Sequence, residues 1–284
     1  MLYSSGQDFR DSPQKRVMLF GMSGLGKTYL STMLRAAGNW FHYSVDYRIG
    51  TRYMGEYIAD NFKREAMKVP LLRELLLTDS VYIASNITFD NLAPLSTYLS
   101  KPGDPARGGV EFAEYCRRQS QHREAEVAAM LDAPRFIERA RGLYGYENFV
   151  CDTSGSICEV VNADDPSDPV MTALSSHLLP VWIQGSPEHR AELIRRFDRA
   201  PKPMYYQPDF LQTIWAEYLT QQGKPADQVD PDAFLRFGYA RLLEHRVPRY
   251  AAMARWGVTV SAQEVAAVKS RADFDTLIAT AIDR

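Results

Sequence analysis

"VMLFGMSGLGKTYLSTML", residues 17 to 34, is the stretch from which the rest of the chain is read. Four apolar residues run into three glycines, a lysine and a threonine. The apolar spacing then changes from continuous to helical, with Leu30, Met33 and Leu34 on one face. A continuous apolar run suits a strand covered on both sides. Gly21, Ser23, Gly24, Leu25, Gly26, Lys27 and Thr28 fall in the pattern G-x-x-x-x-G-K-[ST], which is matched at every fixed position. Glycines let such a loop wrap with its backbone N–H groups pointing inward, an anion nest. The helix that begins near Lys27 adds the positive end of its dipole. The expected occupant is the polyphosphate of a nucleotide, lined by these residues and Tyr29. Lys27 would reach the β- and γ-phosphates, and the Thr28 hydroxyl would ligate Mg²⁺. A glycine-rich turn with no ligand has the same composition, and binding alone does not name a reaction.

Outward from this loop, strand-like and helical runs alternate. Residues 40 to 46, "WFHYSVD", read as a second strand, and residues 55 to 77 as helix, broken near Pro70. "SVYIAS", 80 to 85, is ambiguous between strand and loop. "NFVCDTSGS", 148 to 156, and "LLPVWIQGS", 178 to 186, are apolar strands ending in small residues. Helical patterns follow at 188 to 199, 209 to 222 and 231 to 254. A last strand at 256 to 262 and one closing helix at 263 to 282 complete the chain. Strands that alternate with helices predict an α/β fold with a parallel sheet, a three-layer P-loop NTPase arrangement. Residues 1 to 15 read as a mobile leader. The core is expected at 16 to 85 and 148 to 284. Residues 86 to 147, balanced in acid and base, read as a helical insertion.

Composition narrows the function classes. The chain has 284 residues, 45% hydrophobic and 24% charged, as in ordinary globular proteins. A net charge of −2 gives no whole-chain attraction to nucleic acid or anionic lipid, so DNA as a partner would need a local patch. The three cysteines, Cys116, Cys151 and Cys158, have no metal-like spacing, and a reducing, cytoplasmic setting is expected. The start lacks the apolar core of a secretory signal, and no run is long enough to span a bilayer.

The loop "GMSGLGKT" resembles that of small P-loop kinases, such as the gluconate, shikimate and adenylylsulfate kinases and the nucleotide kinases. "YSVDYRIGTRYM" is similar to the segment where such kinases place an acidic residue against the substrate, and Asp46 matches that position. "VWIQGSPEHRAELIRRFDRAPKPMYYQPDFLQTIWAEYL", 181 to 219, resembles the strand, arginine-rich lid and following helix of gluconate-kinase-like enzymes. "WGVTVSAQEV" is similar to their last strand. The resemblance spans residues 16 to 60 and 148 to 284. Residues 86 to 147 have no counterpart in the small metabolite kinases, and Pro201 and Pro203 would stiffen the lid. Kinases of hydroxymethyluracil in phage DNA are a related resemblance.

What the resemblance implies is ATP- and Mg²⁺-dependent phosphorylation of a hydroxyl-bearing acceptor, a small metabolite, nucleoside or modified base. Asp46 would orient the acceptor hydroxyl; as a strand-end residue it could equally cap a turn. Arg48 and Arg52 would bind an acidic group on the substrate, or stand as exposed helix charges. Asp152, at the end of a strand, would assist Thr28 with Mg²⁺; the other reading is a helix cap. Arg195 and Arg199, four apart on one helical face, would close on the transferred group. An Arg-rich helix C-terminus looks the same. Arg117, Arg118 and Arg123 read as a surface ion-pair helix among Glu111, Glu114, Glu124 and Glu126. Tyr205 and Tyr206 could stack on a base or belong to the core. A rival class stays open: a regulatory ATPase in which water is the acceptor and hydrolysis drives a shape change.

Overall fold

The computed structural model describes residues 2–284, so residue 1 of the expected leader lies outside it. Five strands form one all-parallel sheet: β1 (Arg16–Phe20), β2 (Trp40–Ser44), β3 (Asn148–Asp152), β4 (Leu179–Gln184) and β5 (Val258–Ser261), in the order β2-β3-β1-β4-β5. The chain leaves β1 toward β2 on one side, then steps back through β3, β4 and β5 in the other direction. Parallel crossovers are right-handed, so these two directions put their connecting helices on opposite faces. That explains why β1 and β3 are buried through Val17–Phe20 and Phe149–Asp152, as their unbroken apolar runs require. The architecture is α/β and compatible with three layers.

The chain divides into two compact units. The first holds the chain up to Val45, Glu126–Pro201 and Arg236–Arg284, and contains the whole sheet. Its core includes Trp40 edge-on to Phe274 and Phe41 stacked on Phe149 at 5.6 Å between ring centres. The second unit holds Asp46–Ala125 and Lys202–Leu235 and is helical. Within it Phe112 stacks on Trp215, which meets Phe234 edge-on. Lys101 pairs with Asp232, and Arg107 with Asp230.

Several expectations need correction. The leader is not loose: Gly6–Asp11 is helical, capped by Ser5, and packs on the helix Arg271–Ile282. Phe9 is fully buried, and the Gly6 N–H donates to Asp283 at 2.7 Å. A side chain at Gly6 would collide with the Ala279 carbonyl, which is how the two helices come so close. Residues 80 to 85, open between strand and loop in the sequence, form no strand. Residues 86 to 147 are not one inserted body; residues up to Ala125 belong to the helical unit and those from Glu126 to the sheet unit. The closing helix is two, Ala262–Ala267 and Arg271–Ile282, because Ser270 starts a fresh capping box with Asp273.

Candidate functional site

Because every strand runs the same way, the carboxyl ends of β1, β3, β4 and β5 lie along one edge of the sheet. Register fixes their heights: Leu19 sits opposite Asp152, Phe20 opposite Trp182, and Gln184 opposite Ser261. The chain moves to opposite sides of β1, which leaves a crevice beyond its end. Residues 21 to 26 occupy that place. Gly21, Gly24 and Gly26 have φ of 141°, 84° and 103°, in the region that disfavours side chains. Gly26 then caps the helix Lys27–Ala36 with no side-chain help.

Wrapping of this kind leaves donors over. Among the described residues, the backbone N–H groups of Ser23, Gly24, Leu25 and Gly26 have no hydrogen-bond acceptor; Ser23 and Gly24 are exposed, Gly26 is half-buried and Leu25 is buried. Lys27 is buried, and its Nζ donates to the carbonyls of Gly21 and Met22 at 2.8 and 3.1 Å. An ammonium folded back along a ring of amides can satisfy an anion from the same position. Thr28 Oγ1 donates to Asp152 Oδ2 at 2.8 Å, and the same carboxylate oxygen lies 3.6 Å from His42 Nε2. A hydroxyl beside a carboxylate at the end of this glycine loop offers hard oxygen atoms of the kind that suit Mg²⁺. No group of three or more His, Cys, Asp or Glu side chains among the described residues is arranged to hold a metal. A Mg²⁺ here would therefore draw most of its ligands from phosphate and water.

Behind Asp152 the loop 153 to 156 is tied down at each residue. Thr153 bonds the Leu19 carbonyl through both N–H and hydroxyl, and Ser154 and Ser156 both donate to Glu126. Gly155 abuts the glycine loop so closely that a Cβ there would collide with Ser23 Oγ. Glu126 is fully buried, not part of the solvated ion-pair face in which the sequence placed it. Its hydroxyl partners lie 28 and 30 residues further on, beyond the reach of helical periodicity.

A cavity of about 330 Å³ opens on the other flank of the loop. Its walls are Gly24 to Gly26, Tyr29, His189, the 262–266 helix and Lys269. Tyr29 donates to the Val268 carbonyl, and the Lys269 ammonium lies 6.0 Å from its ring centre. The helix Pro187–Arg199 approaches the loop with its first half. His189 lines this cavity, Arg190 lines a smaller one with Met22 and Gln184, and Leu193 packs near Gly24. Arg195 and Arg196 both clamp Glu192, whose carboxyl their hydrogen bonds hold below the usual range. Arg199 is exposed in the last turn. Phe197 is stacked on Tyr239 at 3.8 Å, which pins that end of the helix.

The structure brings together Gly21, Ser23, Gly24, Leu25, Gly26, Lys27, Thr28, Tyr29 and Asp152. Asp46, Arg48 and Arg52 fall in the other unit, just after β2, on the helix Val45–Arg48 and the wide turn Ile49–Tyr53. There Arg48 stands 5.6 Å over the Tyr53 ring, and Arg52 is exposed. Tyr205 and Tyr206 are buried, Tyr205 stacked on His122, so neither is exposed for base stacking. Arg117 pairs with Glu114 at the surface as expected, but Arg118, which pairs with the same carboxylate, is buried and donates to the Tyr98 carbonyl, so the expected surface ion-pair helix holds only in part. Sequence reading missed Glu126 and His189, and it gave Arg190 no more weight than its neighbours. No helix among the described residues is long and apolar enough to cross a membrane. No family model, curated protein or solved structure matches this chain.

Proposed function

We propose that this chain is a P-loop kinase that transfers the γ-phosphoryl group of ATP to a hydroxyl-bearing acceptor. The observation that carries the reading is the ring of acceptor-free amides from Ser23 to Gly26, closed by Lys27 and fed by the dipole of the helix Lys27–Ala36. The eight-residue motif supports it, as does the Thr28–Asp152 pair at the same edge. Mg²⁺-ATP supplies the reactive phosphoryl group. The loop amides and Lys27 bind its β- and γ-phosphates, and Thr28 and Asp152 hold the metal in register. The apolar cavity bounded by Tyr29 and Val265 has room for a purine, with Lys269 at its rim. Asp46 orients the acceptor hydroxyl, Arg48 and Arg52 take an acidic group on it, and Arg195 and Arg199 neutralise the moving charge. The acceptor is a small metabolite, a nucleoside or a modified base. Three free cysteines fit a reducing cytoplasm, where ATP is plentiful.

The test is transfer of label from γ-labelled ATP to a panel of polyols, nucleosides and modified DNA. A labelled acceptor whose formation drops strongly in Asp46→Asn, with ATP binding intact, supports the kinase reading. Label released only as free phosphate, whatever acceptor is present, would instead make the chain an ATPase.

A further inference from the structure

Outside the residues already assigned, the least expected chemistry lies behind the loop 153 to 156. Arg246, on the helix Pro231–Ala254, is 2% exposed. Its Nε donates to Glu159 at 2.9 Å and its Nη1 to the Gly155 carbonyl at 2.7 Å. Tyr250, one turn further on, donates to the same carbonyl at 2.7 Å. Glu159 is also buried, and His245 lies 3.2 Å from its second oxygen. Burial pushes the Glu159 carboxyl up, but His245 and Arg246 outweigh it and hold the group below its ordinary value.

A buried ion pair is a weak source of stability, because an apolar pair of the same volume often does as well. What a guanidinium offers is direction: its planar fork can hold a carboxylate and a carbonyl at fixed angles, and an ammonium cannot. Here the fork is spent on the one carbonyl in the loop whose residue touches Ser23. The hydroxyls of Ser154 and Ser156 are held from another side by Glu126. Residues 153 to 156 follow Asp152, the carboxylate beside Thr28, and their Gly155 abuts Ser23 of the glycine loop. On the nucleotide reading, Ser23 would border the terminal phosphate when Lys27 and Thr28 engage the β-phosphate and its metal.

We propose that Arg246 is a positioning residue: through the Gly155 carbonyl, with Tyr250, it sets residues 153 to 156 against Ser23 and so fixes the seat of the γ-phosphate. The proposal rests on the nucleotide reading of the loop. It requires a selective effect, on triphosphate and not on diphosphate.

Titration calorimetry with Mg²⁺-ADP and with a non-hydrolysable ATP analogue measures this, alongside thermal unfolding. The variants are Arg246→Lys, Tyr250→Phe and the double variant Arg246→Met with Glu159→Gln, which removes both buried charges together and keeps much of their volume. For Arg246→Lys and the double variant, analogue affinity is expected to fall about tenfold while ADP affinity stays within about twofold. Tyr250→Phe, which deletes one hydroxyl, is expected to shift the same ratio in the same direction by less. Should Arg246→Lys not fold, the other two variants decide. Equal losses for both nucleotides, or no loss in folded variants, would overturn the positioning role and leave the nucleotide site standing. A wild-type chain that binds neither nucleotide would remove both.

Discussion

The glycine loop and the helix Pro187–Arg199 were both expected to handle phosphate charge, and they are built in opposite ways. The loop is organised in advance. Its glycines hold φ values that other residues avoid, its amides from Ser23 to Gly26 have no acceptor among the described residues, and Lys27 is already folded against it. The helix is committed elsewhere. Arg195 and Arg196 share Glu192, and Phe197 is pinned under Tyr239. A preorganised nest loses nothing to rearrangement when an anion arrives. A cation that must first leave a carboxylate can act only as an exchange of partners. Exposed pairs of this kind are worth no more than about 1 kcal/mol, so the exchange is cheap. On the proposed reading, ground-state binding would belong to the loop, and any action of the helix arginines to the transfer step.

The largest effect expected from this contrast is at Lys27. Lys27→Ala should lower turnover by about a hundredfold or more and weaken triphosphate binding, read by steady-state kinetics and calorimetry. A variant with near-normal activity would erase the distinction. Next comes the double variant Arg195→Ala, Arg199→Ala. It should cut kcat about tenfold and leave ADP affinity within about twofold. An equal loss of ADP binding would make the helix part of the resting site, like the loop. Glu126→Ala tests the base of the site, not its mouth. Leaving the Ser154 and Ser156 hydroxyls without their acceptor should cost about 1–3 kcal/mol in denaturant unfolding. A cost near zero would mean that the loop 153 to 156 does not depend on that carboxylate.

How much of this was open to sequence reading follows from the distances along the chain. The strand and the helix on either side of the glycine loop are local, each determined by residues within a few positions, and both were read correctly. So were β3 and β4 as apolar runs, β2 from its aromatic and β-branched residues and β5 from its alternation, because a strand carries its signature in its own residues. The leader helix was missed because its one large anchor is Phe9, and the helix it docks against comes 260 residues later. Glu126 and Arg246 were missed for a related reason. Each sits on the buried stripe of a long helix, where a charged residue among apolar ones was read as part of the outer face. Their partners are separated from them by 28 to 91 residues. Ser270 and Asp273, by contrast, spell a capping box that splits the closing helix, a local signal that was overlooked.

The smallest expected effect concerns acid. Arg284 and the Ser261 N–H hold the Glu264 carboxyl down, from an ordinary 4.5 to about 2, at the start of the helix that walls the cavity. A depressed carboxyl stabilises the fold above its ordinary value and loses that contribution as pH falls through the folded one. The stability advantage of wild type over Glu264→Gln should therefore be constant above about pH 5 and vanish toward pH 2, with a size of no more than about 1 kcal/mol because the pair is partly in solvent. Thermal unfolding across that range would show it. An advantage that grew on acidification would have the wrong sign.

Amide hydrogen exchange across residues 21 to 28, with and without Mg²⁺ and a non-hydrolysable ATP analogue, puts the central proposition at risk most directly. Slowing of the Ser23 to Gly26 amides by about tenfold or more at saturation, lost in Lys27→Ala, is the expected result. Exchange at those four amides that stays the same at millimolar nucleotide, in folded wild-type protein, would contradict it.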